Sequence, residues 1–326
     1  MRAKIDIHPR LLISTILIGS FLILLLAPLN IPTLDHFSFL QYIESQDYIT
    51  LDEPENVTSY RYCYKQSNST IIFLRLSQNG DDQGWHWIER CAFITAALHN
   101  NDTGVCVLTL QTALIDSDLL ISMVIDNLEI AELNVSSILE DTPAYSWYVD
   151  YALSSRVSPF ITYELSDVLR YAYLYKYGGK YMDTDSWTLR NLGPLMNVVG
   201  WESDEKIANG VLFFQPGHPF MKAALDSIAK YFHPDRWGSI GPKMITAIHW
   251  NQSSYTILPS NVFYPVHWSR YLLSFQPDKI NYVKELSRKS YTLHLYGFLI
   301  RRSGIGKIRP DRRSFAGEIF YKYCNI

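Results

Sequence analysis

The chain has 326 residues, 48% of them hydrophobic, enough for one large domain or two small ones. A formal net charge of -3 excludes a general electrostatic attraction to nucleic acid. Aromatic residues make up 14%, and core packing is the ordinary use of any one of them.

Residues 1–10 read as a short tail. The uncharged run Leu11–Leu29 follows and spans about 28 Å as a helix, close to a bilayer core. Arg2, Lys4 and Arg10 precede it; beyond it come Asp35, Glu44, Asp47 and Asp52, with no further cation before Arg61. The positive-inside rule puts the tail in the cytosol and the remainder in a lumen. A cleaved signal peptide is the rival, but its apolar region is normally about 7–15 residues and ends on small residues. This run is longer and ends Ala27-Pro28-Leu29, which favours an uncleaved type II anchor.

Five Asn-x-Ser/Thr sequons lie on the lumenal side, at Asn56, Asn68, Asn101, Asn134 and Asn251, as expected of glycosylated asparagines on a secretory route. The four cysteines, Cys63, Cys91, Cys106 and Cys324, are lumenal too. An oxidising lumen permits two disulfides, with three pairings open; buried free thiols are the alternative. Their spacing matches no zinc site.

Residues 30–62 read as a stem, with Pro32, Pro54, several acids and no sustained periodicity. The lumenal domain is expected over 63–326. Ile71–Leu76 reads as a buried strand, Trp85–Leu98 as a helix and Val105–Leu110 as a strand. Strands separated by helices predict an α/β fold with a mainly parallel, Rossmann-like sheet. Phe160–Tyr177 is the clearest helix: Leu165, Val168, Leu169, Ala172 and Lys176 form a mostly apolar stripe on one side. Gly178-Gly179 ends it. Lys180-Tyr181-Met182 then reads as a strand running into Asp183-Thr184-Asp185. Asn209-Gly210 leads into a strand over Val211–Phe214, and Gly217-His218-Pro219 opens a helix. Tyr291–Leu295 reads as a late strand, and Arg312–Tyr323 as a helix.

Two carboxylates two residues apart at a strand end can face one hard cation, which takes oxygen ligands and bridges diphosphate oxygens. Taken alone, Asp-x-Asp is common in surface loops; its position after a helix, a glycine pair and a strand gives it weight. Asp167 and Arg170 are three apart on the preceding helix and lie together opposite the apolar stripe. They read either as an exposed ion pair or as a polar clamp on sugar hydroxyls and phosphate, with arginine as the fork donor.

The run Leu165-Ser166-Asp167-Val168-Leu169-Arg170, with Tyr177-Gly178-Gly179-Lys180-Tyr181-Met182-Asp183-Thr184-Asp185, resembles the signature of glycosyltransferases with a DXD sugar-binding region. More narrowly, the chain from about residue 70 onward is similar to the family of lactosylceramide 4-alpha-galactosyltransferase and alpha-1,4-N-acetylglucosaminyltransferase. Ile72-Phe73-Leu74, Asp141-Thr142-Pro143, Trp147-Tyr148, Asn209-Gly210, Gly241-Pro242, Phe263-Tyr264-Pro265 and His294 support this.

The resemblance implies a GT-A fold, a UDP-sugar donor, Mn²⁺ and retention of anomeric configuration. It implies catalytic roles for Asp183 and Asp185, with Asp183 on the donor and Asp185 on the metal. Asp167, Arg170 and Asn209 would bind the donor, and His294 would sit by the metal or diphosphate. Tyr296 stands where the family has tryptophan. The expected reaction moves α-galactose from UDP-galactose to the 4-hydroxyl of a terminal galactose on a glycolipid at the Golgi membrane. UDP-N-acetylgalactosamine or UDP-N-acetylglucosamine is the alternative donor, and a catalytically silent lumenal partner the alternative class. Asn209, Asp204 and Glu205 are the local candidates for a group on the β face of the sugar.

Overall fold

The computed structural model describes residues 61–76, 85–110, 125–152, 158–249 and 254–325. The predicted anchor, all but the end of the stem, and the sequons at Asn56 and Asn251 lie outside them. Among the described residues, no helix is long and apolar enough to cross a membrane. Asn68 and Asn101 are exposed, while Asn134 caps the short helix Val135–Leu139 through its Oδ1.

The apolar runs form strands where expected. β1 (Ile71–Arg75) and β2 (Val105–Thr109) are fully buried and pair in parallel. Between them runs α1 (Trp87–His99). His86 opens it with a capping box, its ring accepting from the first turn while Glu89 reaches back to the cap backbone. β3 (Leu128–Glu132) extends the sheet beyond β2. α2 (Ile161–Tyr177) then crosses to β4 (Gly179–Met182), which pairs with the other side of β1. Gly179 makes that entry possible: its φ is +109°, and a Cβ there would sit 2.6 Å from the Thr70 carbonyl oxygen.

The sheet continues through β6 (Val198–Ser203), β7 (Lys206–Phe214) and β8 (Thr256–Leu258), giving the order 3-2-1-4-7-6-8. β7 runs antiparallel to both β4 and β6, and the other pairings are parallel. The fold is therefore mixed α/β with a mostly parallel central sheet. The strand order reverses between β1 and β4, the point in such sheets where ligands meet the carboxyl ends of the strands. Separately, β5 (Ser186–Thr188) pairs with β9 (Thr292–His294), which sets His294 opposite Ser186.

Helices cover both faces. α2, α3 (Pro219–Tyr231) and α4 (Pro242–Ile248) pack on one core; α1, α6 (Phe315–Ile319) and the wider turn Phe320–Cys324 pack on the other. His218 and Pro219 start α3 as the sequence suggested. Of the three open pairings, the cysteines adopt Cys63–Cys106 and Cys91–Cys324. The first ties the domain's start to β2, and the second ties α1 to the C-terminus.

Two expectations change. The strand predicted to begin at Val211 begins at Lys206, so Asn209 and Gly210 sit inside β7 rather than ahead of it. The face of α2 opposite the apolar stripe is not solvent-facing: Asp167 is 7% and Arg170 5% exposed. Strands on one side and α3 on the other enclose the helix, so its polar residues must find partners inside.

Candidate active site

Arg170 finds them all within the protein. Its Nη1 donates to the Asn209 backbone oxygen at 2.8 Å and lies 3.1 Å from Asp183 Oδ1. Nη2 lies 3.2 Å from Asp167 and donates to Ser166 Oγ, and Nε donates to the Ser166 carbonyl. The guanidinium also sits 4.6 Å over the Tyr181 ring. Asn209 Nδ2 donates to Asp167 Oδ1 at 2.7 Å and approaches the Tyr171 hydroxyl. The residues singled out as donor-binding thus form one buried network joining α2, β4 and β7. The exposed-pair reading of Asp167 and Arg170 does not hold.

Asp183 and Asp185 leave the carboxyl end of β4, at the switch point of the sheet. Tyr181 donates its hydroxyl to Asp183 Oδ1 at 2.7 Å. The β5–β9 pairing brings in His294, whose Nε2 lies 3.4 Å from Asp183 Oδ2 and 3.2 Å from Asp185 Oδ1. One ligand atom from each of the three residues lies within 4.8 Å of the others. Gly210 makes room for them: a Cβ there would be 2.5 Å from Asp183 Oδ2 and 3.1 Å from His294 Nε2.

The electrostatics call for a positive charge at this point. Burial alone would push Asp183 upward, but Arg170, His294 and Tyr181 reverse this and hold its pKa down to about 2. Burial opposes a proton on His294, yet Asp185 and Asp183 overcome it and raise its pKa to about 9. Among the described residues, Asp185 Oδ1 and His294 Nδ1 are buried without a hydrogen-bond partner. Two carboxylate oxygens and an imidazole nitrogen fit a divalent cation, which would take the place of the proton on His294 and bring one more unit of positive charge to the two carboxylates. Asp185 Oδ2 is oriented by the Gly297 N–H, which donates to it at 2.5 Å. That amide opens α5 (Gly297–Ser303), and the preceding Tyr296 takes a left-handed conformation, φ 57°, to aim it.

Behind this network, burial raises Asp167 to about 6; Arg170 and Asn209 pull it back in part, and Asp183 adds to the rise. One helical turn earlier, Glu164 is 1% exposed, and among the described residues neither of its oxygens has a partner of hydrogen-bond geometry. Burial raises its pKa from 4.5 to about 7, with the nearby Ser158 offsetting part and Asp167 adding to the rise. A carboxyl whose folded pKa exceeds its unfolded value costs stability as pH rises between the two. Glu164→Gln is therefore expected to gain about 1–3 kcal/mol relative to wild type on going from pH 4.5 to pH 8. Denaturant unfolding at both pH values measures this, and a pH-independent difference would contradict it.

Asp204 and Glu205 are exposed at the tip of the β6–β7 hairpin, five and four residues before Asn209. The hairpin does not gather them with the Asp183–Asp185–His294 group. Tyr181, Gly210 and the Gly297 amide were not read from the sequence as site groups. Tyr181 carried a signal, since its place two residues before Asp183 on a strand puts both on one face.

Residues 88–205 match the glycosyltransferase sugar-binding region containing a DXD motif, and residues 213–326 match the alpha 1,4-glycosyltransferase conserved region. Asp167, Arg170, Asp183 and Asp185 fall in the first segment and His294 in the second. The rat (Rattus norvegicus) lactosylceramide 4-alpha-galactosyltransferase is 28% identical over 210 residues, covering 61% of this chain and 57% of the relative. The chain thus spans little more than half of that relative's length. Human (Homo sapiens) alpha-1,4-N-acetylglucosaminyltransferase is 28% identical over 217 residues, 61% of each chain. Among solved structures, PaToxG glycosyltransferase aligns with 66% of this chain and 77% of its own, at 16% identity and a TM-score of 0.44. The two matched regions thus lie in order along the chain, the DXD sugar-binding region before the alpha 1,4-glycosyltransferase conserved region.

Proposed function

We propose that the chain is a retaining GT-A hexosyltransferase. It transfers α-galactose from UDP-galactose to the 4-hydroxyl of a terminal galactose on a glycosphingolipid. It acts in the Golgi lumen from a type II anchor at Leu11–Leu29. The observation that carries this reading is the meeting of Asp183, Asp185 and His294 with the buried Asp167–Arg170–Asn209 network at the switch point of the sheet. The similarity to a lactosylceramide 4-alpha-galactosyltransferase supports the choice of sugar and acceptor.

In this reading Asp183, Asp185 and His294 hold Mn²⁺. Bound there, Mn²⁺ supplies Lewis-acid neutralisation of the charge that develops on departing UDP. Asp183 also orients the donor ribose or sugar. Asp167 and Asn209 meet the donor sugar, and Arg170 is their positioning residue, since its donors face Asp167, Asp183, Ser166 and the Asn209 backbone. Preorganisation matters because these dipoles then need no rearrangement as the glycosidic bond breaks.

The equal identity to an N-acetylglucosaminyltransferase favours a second donor, UDP-N-acetylglucosamine, on the same machinery. Purified full-length protein with Mn²⁺ should be offered UDP-galactose, UDP-N-acetylgalactosamine and UDP-N-acetylglucosamine, each with lactosylceramide and with glycoprotein acceptors. The expected product is an α1,4-linked galactose on lactosylceramide. No consumption of any donor would overturn the enzyme reading and leave the silent lumenal partner.

A further inference from the structure

We infer that Arg301, on α5, binds the diphosphate of the nucleotide donor; this rests on the nucleotide-sugar reading above. Gly297 and Arg301 are four apart on α5 and so share one face. A Cβ at Gly297 would lie 3.1 Å from Asp185 Oδ2 and 3.4 Å from Arg301 Nη1. The metal-site carboxylate and the guanidinium therefore flank the same point of backbone, yet they form no ion pair with each other.

Arg301 is exposed, and its guanidinium has no hydrogen bond or ion pair among the described residues. Arg170 is the opposite case, buried and fully committed to protein partners. Among the described residues, Arg301 is thus a guanidinium beside the site whose donors remain available to a ligand. A planar fork suits phosphate oxygens, which accept two parallel N–H bonds. A diphosphate bridging the cation site and Arg301 would have its negative charge met from both ends. Arg302, the next residue, points to a different side of the helix and is the natural control.

The test is the affinity of the full-length protein for UDP in saturating Mn²⁺, measured by calorimetry, beside uridine as the ligand without phosphate. Arg301→Ala is expected to weaken UDP binding about 10- to 100-fold, the size of one charged hydrogen-bonded contact, and to leave uridine binding unchanged. Arg301→Lys should recover part of the loss, and Arg302→Ala should match wild type. Equal UDP affinity for wild type and Arg301→Ala would overturn the assignment, as would a loss confined to the acceptor KM. If wild type itself fails to bind UDP, the nucleotide-sugar reading falls, and this inference with it.

Discussion

Asp185→Asn is expected to lose about 10²–10³-fold in transfer rate while remaining folded. Asp185 uses its two oxygens differently. Oδ2 accepts the Gly297 N–H, and Oδ1 faces His294 with no hydrogen bond of its own. In the asparagine variant the remaining oxygen stays on the Gly297 amide, because an NH₂ there would oppose a donor with a donor. The NH₂ then points at the cation site, where it cannot be a ligand. The side chain keeps its size and lies outside the apolar cores, so the fold should survive with a modest fall in melting temperature from the weakened pairing with His294. Asp183→Asn should also disable transfer and cost more stability, since it removes a charge that both Arg170 and His294 pair with. Transfer measured across Mn²⁺ concentrations, with melting temperature as the folding control, separates the two. A wild-type rate for Asp185→Asn would remove the carboxylate from the mechanism.

Arg170→Met is expected to have the largest effect on stability. It deletes the one guanidinium between Asp167 and Asp183 and strands both carboxylates, with Asp167 almost fully buried. Removing one partner of a buried ion pair costs about 3–5 kcal/mol. In a domain of this size that lowers the melting temperature on the order of 10 °C. Arg170→Lys should be milder in stability and still damage donor use. A single ammonium cannot serve Asp183, Asp167, Ser166 and the Asn209 carbonyl together. Thermal unfolding of both variants and their donor KM check this, and unchanged values would make the network ornamental.

Much of the site was legible because its elements are local in sequence. The stripe of α2, the glycine pair and the short strand before Asp183 are all set by neighbouring residues. Asp167 and Arg170 come together by helical spacing alone. What the sequence did not disclose depends on distant pairing. β6 is interrupted by Gly200 and ends in polar residues, so it carries no buried-strand pattern; it forms because β7 and β8 flank it. β7 was read short because Asn209 and Gly210 are strand breakers by propensity. They sit in the strand because Asn209 is tied to Asp167 and Arg170, and because only glycine fits beneath Asp183. The burial of the polar face of α2 was hidden for a similar reason. Its partners arrive from β4 and β7, and no periodicity within the helix announces them.

If Asp183, Asp185 and His294 hold a divalent cation, departure of UDP should depend on it. The most direct measurement is release of UDP from UDP-galactose by the purified full-length protein, first in chelator and then as Mn²⁺ is added back. No release above background is expected in chelator, with saturable recovery on adding Mn²⁺ and no recovery in Asp185→Asn at the same concentrations. Release at the full rate in chelator would contradict that dependence.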